Sequence, residues 1–206
     1  MPYVTESSRV NILLPVFEAK DTASVVRFIR DFSHNILGKS EDVHLTVMLF
    51  YPPSSLTEAQ TDVYSAVKES VAQITRSQTK KDENKINLAS LKLHENPSRL
   101  SDTRPLDIIS VDLLSSVKKI VPESLIFLCY PHSEIHSDFL NRVRINTISG
   151  WQLYSPIPFA EYNPDVTQPG AKVKAEELNV STSQGFYDTH DTWHISFYMA
   201  DYLNGN

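Results

Sequence analysis

The sequence predicts an α/β protein built on a mostly parallel, twisted sheet. Short, continuously apolar runs are typical of strands that are covered on both faces. Between these runs, apolar residues recur at three- and four-residue steps, as they do on one face of a helix. Strands that alternate with helices imply right-handed crossovers and parallel pairing. The fold class follows from this alternation.

Four strands are predicted in the first two thirds of the chain, at residues 10–15, 43–51, 86–94 and 124–129. The helix after the first strand takes Asp21 or Thr22 as its N-cap and ends at Gly38. The next helix opens with Thr57 and Gln60 in capping-box spacing, and a third covers residues 106–120. Each of these helices has one apolar face, which indicates packing against the sheet.

The pattern changes after the fourth strand. Residues 138–148 predict a helix that Gly150 ends, and residues 151–159 are rich in aromatics and prolines, which indicates an irregular extended segment or an edge strand. A surface loop is predicted over residues 163–180, and a last strand over residues 194–199.

Composition bounds the function. At 206 residues and 41% hydrophobic, the chain can bury one sizeable core, so one domain is expected. The net charge is -6 and no basic stripe interleaves with aromatics, which argues against a nucleic-acid partner. Cys129 stands alone, so an internal disulfide framework is excluded. Neither a signal peptide nor an apolar run long enough to span a membrane is visible.

Ligands of open α/β sheets collect outside the carboxyl ends of the strands. That rule selects the strand ends at Pro15, at Tyr51, at residues 94–99 and at residues 130–134. Pro-Pro follows Tyr51 at once and offers little chemistry. The other three ends are expected to face a common crevice.

The chain resembles the C-terminal N-acetylgalactosaminyltransferase domain of the chondroitin synthases. The residues that carry the resemblance are RVNILLP at 9–15, LIFLC at 125–129, DFLNRVRINTISGWQLYSPIPFAEYNP at 138–164 and SFYMADYL at 196–203. The Gly150-Trp151-Gln152 turn and the Ala200-Asp201-Tyr202-Leu203 ending are most similar to the chondroitin-polymerizing-factor branch.

The resemblance implies a GT-A-like transferase fold in a single domain over residues 1–206. Residues 1–135 would form the half that binds a UDP-sugar, and residues 136–206 the start of the acceptor half. The family's acidic base motif and a metal-binding His follow the point where this chain ends, so the domain is expected to be C-terminally incomplete. No catalytic residue is therefore assigned.

The family places an Asp-x-Asp motif at the end of the fourth strand, where carboxylates hold Mn²⁺ or Mg²⁺ against the diphosphate. Aligned on Phe139, the two carboxylates fall on Tyr130 and His132, with Pro131 between them. A neutral imidazole replaces neither the charge nor the affinity of two carboxylates. No metal is therefore expected, unless a local slip of the chain recruits Glu134.

Two further segments resemble donor-nucleotide contacts of the family, Leu14-Pro15 and Ser98-Arg99. An Arg fork matches phosphate or uracil oxygens, although a surface Arg is the preferred interpretation of Arg99. The pair His132 and His136 has the spacing of a zinc pair on a helix, as does the pair His190 and His194. Exposed loop histidines are the preferred interpretation, because Pro131 and the strand exit oppose a helix there.

The resemblance implies a polymerizing-factor protein that binds and supports a catalytic chondroitin synthase subunit in the Golgi. One alternative is an active hexosyltransferase that uses Mn²⁺ to move N-acetylgalactosamine from a UDP-sugar to a glycosaminoglycan acceptor. Another is a truncated fragment without function. Asn179 begins an N-glycosylation triplet, which is consistent with a lumenal location.

Overall fold

A computed structural model describes residues 9–37, 43–51, 64–77, 85–92, 120–136, 138–161, 185–187 and 194–204. Seven strands occur in this part of the chain: β1 Val10–Val16, β2 Val43–Tyr51, β3 Ile86–Lys92, β4 Leu125–Leu128, β5 Phe159–Glu161, β6 Gly185–Tyr187 and β7 Ile195–Tyr198. The α-helices are α1 Thr22–Phe32, α2 Ser65–Ser77, α3 Phe139–Asn146 and α4 Met199–Asn204.

The main sheet has five strands in the order β3-β2-β1-β4-β7. β1 is parallel to both of its neighbours, so that Val10 lies beside Val43 of β2 and Leu125 of β4. β3 continues the parallel set beyond β2, and β7 pairs with β4 in the antiparallel direction. The predicted α/β class with a mostly parallel sheet is confirmed, and the arrangement is consistent with a GT-A-like sheet.

Both faces of the sheet are buried, which explains why β1 is apolar at almost every position. Alternate side chains point to opposite faces of a strand. On one face, Ile12 and Leu14 pack in a cluster that includes buried residues of α1, α2 and α3. On the other, Leu13 packs with Phe50, Leu128 and Met199, the first residue of α4. Because neither face of β1 meets solvent, polar residues do not alternate with apolar ones along it.

The first helix begins at a predicted N-cap, but its α-helical part ends before the predicted residue Gly38. Asp21 occupies the N-cap position, as predicted, but its side chain makes no capping hydrogen bond. At the other end, α1 stops at Phe32 and one π-helical turn, Ser33–Leu37, carries the chain on. Ile36 and Leu37 of that turn are buried, so the apolar face continues although the hydrogen-bond pattern changes.

The chain after α3 is held to the sheet by a few contacts. Gly150 adopts a left-handed conformation with φ of 75°. Isolated bridges join Ile148 to Gln152 and Tyr154 to Ser196 of β7, so the segment 151–158 is irregular and reaches the sheet edge at one position. β5 and β6 form a separate antiparallel pair. The predicted last strand ends at Tyr198, one residue earlier than expected, because Met199 begins α4.

Several predictions fall outside the described residues. They are the capping pair Thr57 and Gln60, all but the last residue of the helix predicted over 106–120, the loop over 163–180, and the residues Ser98, Arg99, Asn179 and His190. Among the helices that the structure describes, none is long and apolar enough to cross a membrane.

Candidate functional site

The strand order creates a crevice between β1 and β4. The chain leaves β1 toward β2 on one side, and β4 lies on the other side of β1. Connections that run in opposite directions from two neighbouring parallel strands leave a gap outside their carboxyl ends, where α/β proteins bind ligands. The segments that border this gap are those that follow Val16 and Leu128.

The segment after β1 supplies charged side chains beyond the predicted donor contact Leu14-Pro15, which stays a prediction. Leu14 is fully buried, and Pro15 is buried beside Met48 of β2, so both lie inside the sheet. The polar groups come next, where Lys20 Nζ lies 2.6 Å from Glu18 Oε2. The hydrogen bond to Glu18 and its negative charge raise the pKa of Lys20. This cation is thus already paired within its own turn.

The segment after β4 contains the three residues aligned with the metal motif. Pro131 is buried, whereas the rings of Tyr130 and His132 lie 4.9 Å apart, centroid to centroid. His132 Nδ1 is 2.9 Å from Ser24 Oγ in the first turn of α1. Its Nε2 is 3.5 Å from Asp21 Oδ1, and the Asp21 side chain is only 13% exposed. The Asp21 carboxylate therefore faces His132 instead of capping α1.

The next two residues make contacts of their own. Glu134 Oε1 accepts a hydrogen bond from Arg27 Nη2 at 2.7 Å. Ser133 Oγ lies 2.5 Å from Nε2 of His194, a buried residue immediately before β7. We call residues 132–134 the crevice strap, because consecutive side chains tie the segment after β4 to α1 on one side and to the start of β7 on the other.

The site does not fit the metal that the Asp-x-Asp motif would hold. Within the described ranges, no three His, Cys, Asp or Glu side chains gather as a metal site. At the motif itself, His132 and Asp21 supply one imidazole and one carboxylate, and the Glu134 carboxylate is engaged by Arg27. Mn²⁺ and Mg²⁺ require several oxygen ligands. Among the described residues, no third His, Cys, Asp or Glu side chain joins His132 and Asp21 to complete such a ligand set.

The histidine pair that shares zinc spacing is not on a helix. His132 and His136 are both exposed in the segment between β4 and α3, where Ser133 N–H donates to the Tyr130 carbonyl in a turn. The four-residue spacing therefore does not place the two rings on one helical face. For these two residues the interpretation as exposed loop histidines agrees with the geometry. His194, which received the same interpretation, is buried, so the interpretation is wrong for that residue.

A cavity of about 220 Å³ adjoins the strap. One wall is a stripe of α1 and its π-helical extension, and the other is the segment 133–136. Phe28 and Phe32 are almost completely buried, and the carboxylates of Asp31 and Glu134 are half-exposed. The space can take a few atoms of a ligand beside the crevice.

Sequence reasoning missed the partners of the strap. The sequence pattern predicts a helix over Ser24 and Arg27 with a cap at Asp21, and a strand at His194, but no contact among them. Ser24 and His132 are 108 positions apart, a distance over which local patterns carry no signal. One clue was available, because Asp21 follows the first strand and the strand-end rule applies to that segment too.

Comparisons with known proteins agree on the family. The family model for chondroitin N-acetylgalactosaminyltransferase matches residues 1–206. The chain is 32% identical to chondroitin sulfate synthase 2 of Mus musculus over 98% of its length, and 31% identical to chondroitin sulfate glucuronyltransferase of Homo sapiens over 98%. Chondroitin sulfate synthase 3 of Homo sapiens is 26% identical over 95% of the chain.

These matches cover only part of the relatives. The chain spans 24% of the mouse synthase, 26% of the glucuronyltransferase and 20% of synthase 3. No solved structure matches. The family model nevertheless covers every residue of the chain, and the relatives' names place the family among the glycosyltransferases of chondroitin sulfate biosynthesis. This chain belongs to the chondroitin N-acetylgalactosaminyltransferase family.

Proposed function

We propose that the chain is a transferase-fold domain of the polymerizing-factor type, which supports chondroitin polymerisation by binding a catalytic synthase subunit. It would not transfer a sugar itself. The observation that carries the proposal is the chemistry at the end of β4, where the positions aligned with two metal-binding carboxylates hold Tyr130 and His132. His132 is turned to Ser24 and Asp21 of the same chain.

A sugar nucleotide needs positive charge in the crevice, because its diphosphate must be neutralised before it can leave. Among the described residues beside the crevice, two cations have carboxylate partners. Lys20 pairs with Glu18, and Arg27 pairs with Glu134 and lies 3.8 Å from Asp31. Binding a diphosphate would break these pairs and leave their carboxylates facing the phosphate. The charge arrangement therefore favours a scaffold over a donor site.

Metal-dependent binding of UDP by the purified chain tests this proposal. Isothermal titration with UDP and Mn²⁺ should give no heat above that of dilution. The matched variant carries Tyr130→Asp and His132→Asp, which restores both carboxylates at the aligned positions. If the missing carboxylates at these two positions are the reason that the chain does not bind the metal, this variant should gain Mn²⁺-dependent UDP binding. A micromolar, Mn²⁺-dependent signal from the unaltered chain contradicts the proposal.

The supporting role has a separate test. Co-expression with a catalytic chondroitin synthase in a secretory host should give a complex that co-purifies and makes longer chains than the synthase alone. A Golgi location is part of the proposal and would appear in the same cells by microscopy. A folded chain that neither co-purifies with the synthase nor binds UDP would favour the truncated fragment instead.

One observation favours an active hexosyltransferase as the alternative. The family whose model matches the chain is named for N-acetylgalactosaminyl transfer. In that case Asp21 and His132 would be the nearest ligands for Mn²⁺, and the substrates would be a UDP-sugar and a glycosaminoglycan acceptor. Transfer of labelled N-acetylgalactosamine to a glucuronate-ended oligosaccharide by the chain alone would establish this activity.

A further inference from the structure

The segment that follows α3 exposes apolar side chains with no charges among them. Trp151, Leu153 and Ile157 are 85%, 58% and 56% exposed, and Trp151 has the highest exposure of the large hydrophobic residues that the structure describes. The sequence carries no charged residue from 145 to 160. Single exposed apolar residues are ordinary, but a contiguous apolar patch marks a binding surface, and the cores of protein interfaces are depleted of charges and enriched in aromatics. This composition is typical of an interface.

These side chains lie along one side of an extended segment. Along it, exposed side chains alternate with half-buried ones, so Leu153 and Ile157 face solvent on the same side. Beyond them, the Phe159 ring of β5 lies 5.3 Å from the exposed Tyr187 ring of β6, centroid to centroid. We call Trp151, Leu153, Ile157 and Tyr187 the apolar stripe. At about 3.3 Å a residue, the backbone from Trp151 to Phe159 spans at most about 26 Å, which is on the scale of one side of a standard interface of about 800 Å² per partner.

The backbone on both sides of Trp151 is fixed before any partner arrives. Gly150 N–H, one residue earlier, donates to Asp201 Oδ1 at 2.8 Å. Three residues later, Tyr154 and Ser196 of β7 exchange backbone hydrogen bonds of 3.1 and 2.7 Å. A segment whose backbone is already fixed loses less conformational entropy when it binds. The turn therefore presents Trp151 as an anchor, the kind of residue that dominates the free energy of binding at interfaces.

The β5–β6 pair at the other end of the apolar stripe is short. Each strand has three residues, and the pair is separate from the five-stranded sheet. A two-stranded ribbon is marginally stable in water unless another surface packs on it. The side chains of Phe186 and Tyr187 in β6 are exposed. A partner that covers these rings would stabilise the ribbon as well as bury the apolar stripe.

Charge distinguishes the partners that could cover the apolar stripe. The chain has a net charge of -6, so a second copy, an anionic membrane and a glycosaminoglycan chain all carry charge of the same sign and are repelled. A polyanion also needs Lys or Arg to bind it, and residues 145–160 include neither. A protein surface that is apolar and without net negative charge meets neither obstacle. The charge of the chain therefore favours a different protein as the occupant.

We propose that the apolar stripe is the surface through which this chain binds its protein partner, with Trp151 seated in an apolar pocket of that partner. The inference rests on the proposed function, under which the partner is the catalytic chondroitin synthase subunit. The apolar stripe contains none of the residues that border the crevice between β1 and β4. Binding is therefore expected without UDP or Mn²⁺.

The affinity of the whole chain for a purified catalytic chondroitin synthase tests the apolar stripe, with surface plasmon resonance as the measurement. Trp151→Ser should raise Kd roughly ten- to hundredfold, as truncation of an anchor residue does. Ile157→Ser should raise Kd less, because a smaller exposed area is lost. Trp151→Phe should keep most of the affinity, because an aromatic ring still fills the pocket. The matched control is Val121→Ser, which removes an exposed apolar side chain before β4 and should leave Kd unchanged.

Further measurements separate the protein partner from other occupants. Urea unfolding of each variant checks that the fold is retained, and sedimentation of the chain alone should show a monomer. Self-association that Trp151→Ser abolishes overturns the proposal, and so does binding of a chondroitin oligosaccharide or of phosphatidylcholine vesicles that this variant abolishes. A synthase complex that forms equally well with Trp151→Ser overturns this inference and leaves the proposed function standing. A folded, unaltered chain that does not bind the synthase overturns both.

Discussion

The hydroxyl oxygens of Thr147 and Ser196 lie 2.5 Å apart in the buried interior, and they join the end of α3 to β7. Ser196 Oγ donates its proton to the Tyr154 carbonyl at 3.2 Å. Thr147 must therefore be the donor in the shorter bond. This relay is one of the polar connections between the α3 side of the molecule and the edge of the sheet.

Replacing Thr147 with Val should destabilise the fold by about 1 to 2 kcal/mol, because the Ser196 oxygen would lose a donor inside the core. Thr147→Ser keeps the hydroxyl and serves as the control. Urea unfolding measures both. A double-mutant cycle with Ser196→Ala should show coupling between the two sites, and additive effects would contradict the relay.

The left-handed conformation of Gly150 shapes the turn that precedes Trp151. Its φ of 75° lies in the left-handed region, no atom lies within 4 Å of the position that a Cβ would take, and its N–H donates to Asp201 Oδ1 at 2.8 Å. Gly150→Ala should cost about 1 kcal/mol through backbone strain alone. Gly150→Asn should cost less, because Asn tolerates this region. Equal losses in urea unfolding would exclude strain as the cause.

Gly185 is constrained by space rather than by φ. An added Cβ would collide with the carbonyl oxygen of Ala160 and lie 2.8 Å from the Phe159 ring. Gly185→Ala should therefore separate β5 from β6 and raise hydrogen exchange at residues 159–161. Phe186→Ala, at an exposed neighbouring position, should not do so. The five-stranded sheet should keep its protection in both variants.

Ionisation of Tyr64 should lower the stability of the fold at alkaline pH. Burial raises the pKa of Tyr64 from 10.0 to about 12, and its hydroxyl donates to the Phe50 carbonyl at 3.2 Å. Since the folded pKa is the higher one, the stability that this group contributes is complete below pH 10 and is lost as pH rises toward about 12. Stability should fall across that interval.

Tyr64→Phe should flatten this alkaline decline and should lose about 1 kcal/mol at neutral pH with the hydrogen bond. The measurement is urea unfolding at a series of pH values, with tyrosinate absorbance as the direct probe of ionisation. Tyr187→Phe, in exposed β6, is the control. If the free energy of unfolding of Tyr64→Phe falls with pH as steeply as that of the unaltered chain, another group causes the alkaline decline.

The strand cores were predictable because burial on both faces leaves a continuous apolar run. β2 occupies the predicted residues 43–51, and β1 and β4 differ from prediction by one or two residues. The π-helical turn after α1 was not predictable. The apolar spacing of Ile36 continues the helical face, and nothing in that spacing distinguishes a π-helical from an α-helical hydrogen bond.

The site was predictable in position but not in its contacts. The strand-end rule selected residues 130–134, and the structure places them at the crevice. Which side chains meet His132 depends on the β1 and β4 pairing, which brings distant residues to one edge. Asp21 illustrates the difficulty. Its position at a helix start favours a cap, whereas in the fold the carboxylate faces His132 in the segment after β4.

The place of β1 in the sheet also bears on the order of folding. Val10 pairs with Val43 across a short connection and with Leu125 across a much longer one. The entropy of loop closure rises with the length of the connection, and non-local pairing slows folding. We therefore expect β1, β2 and β3 to assemble first and β4 to join later. On this route the crevice is the last part of the parallel sheet to appear, and a nascent chain emerging from the ribosome would hold a three-stranded nucleus before it has any site.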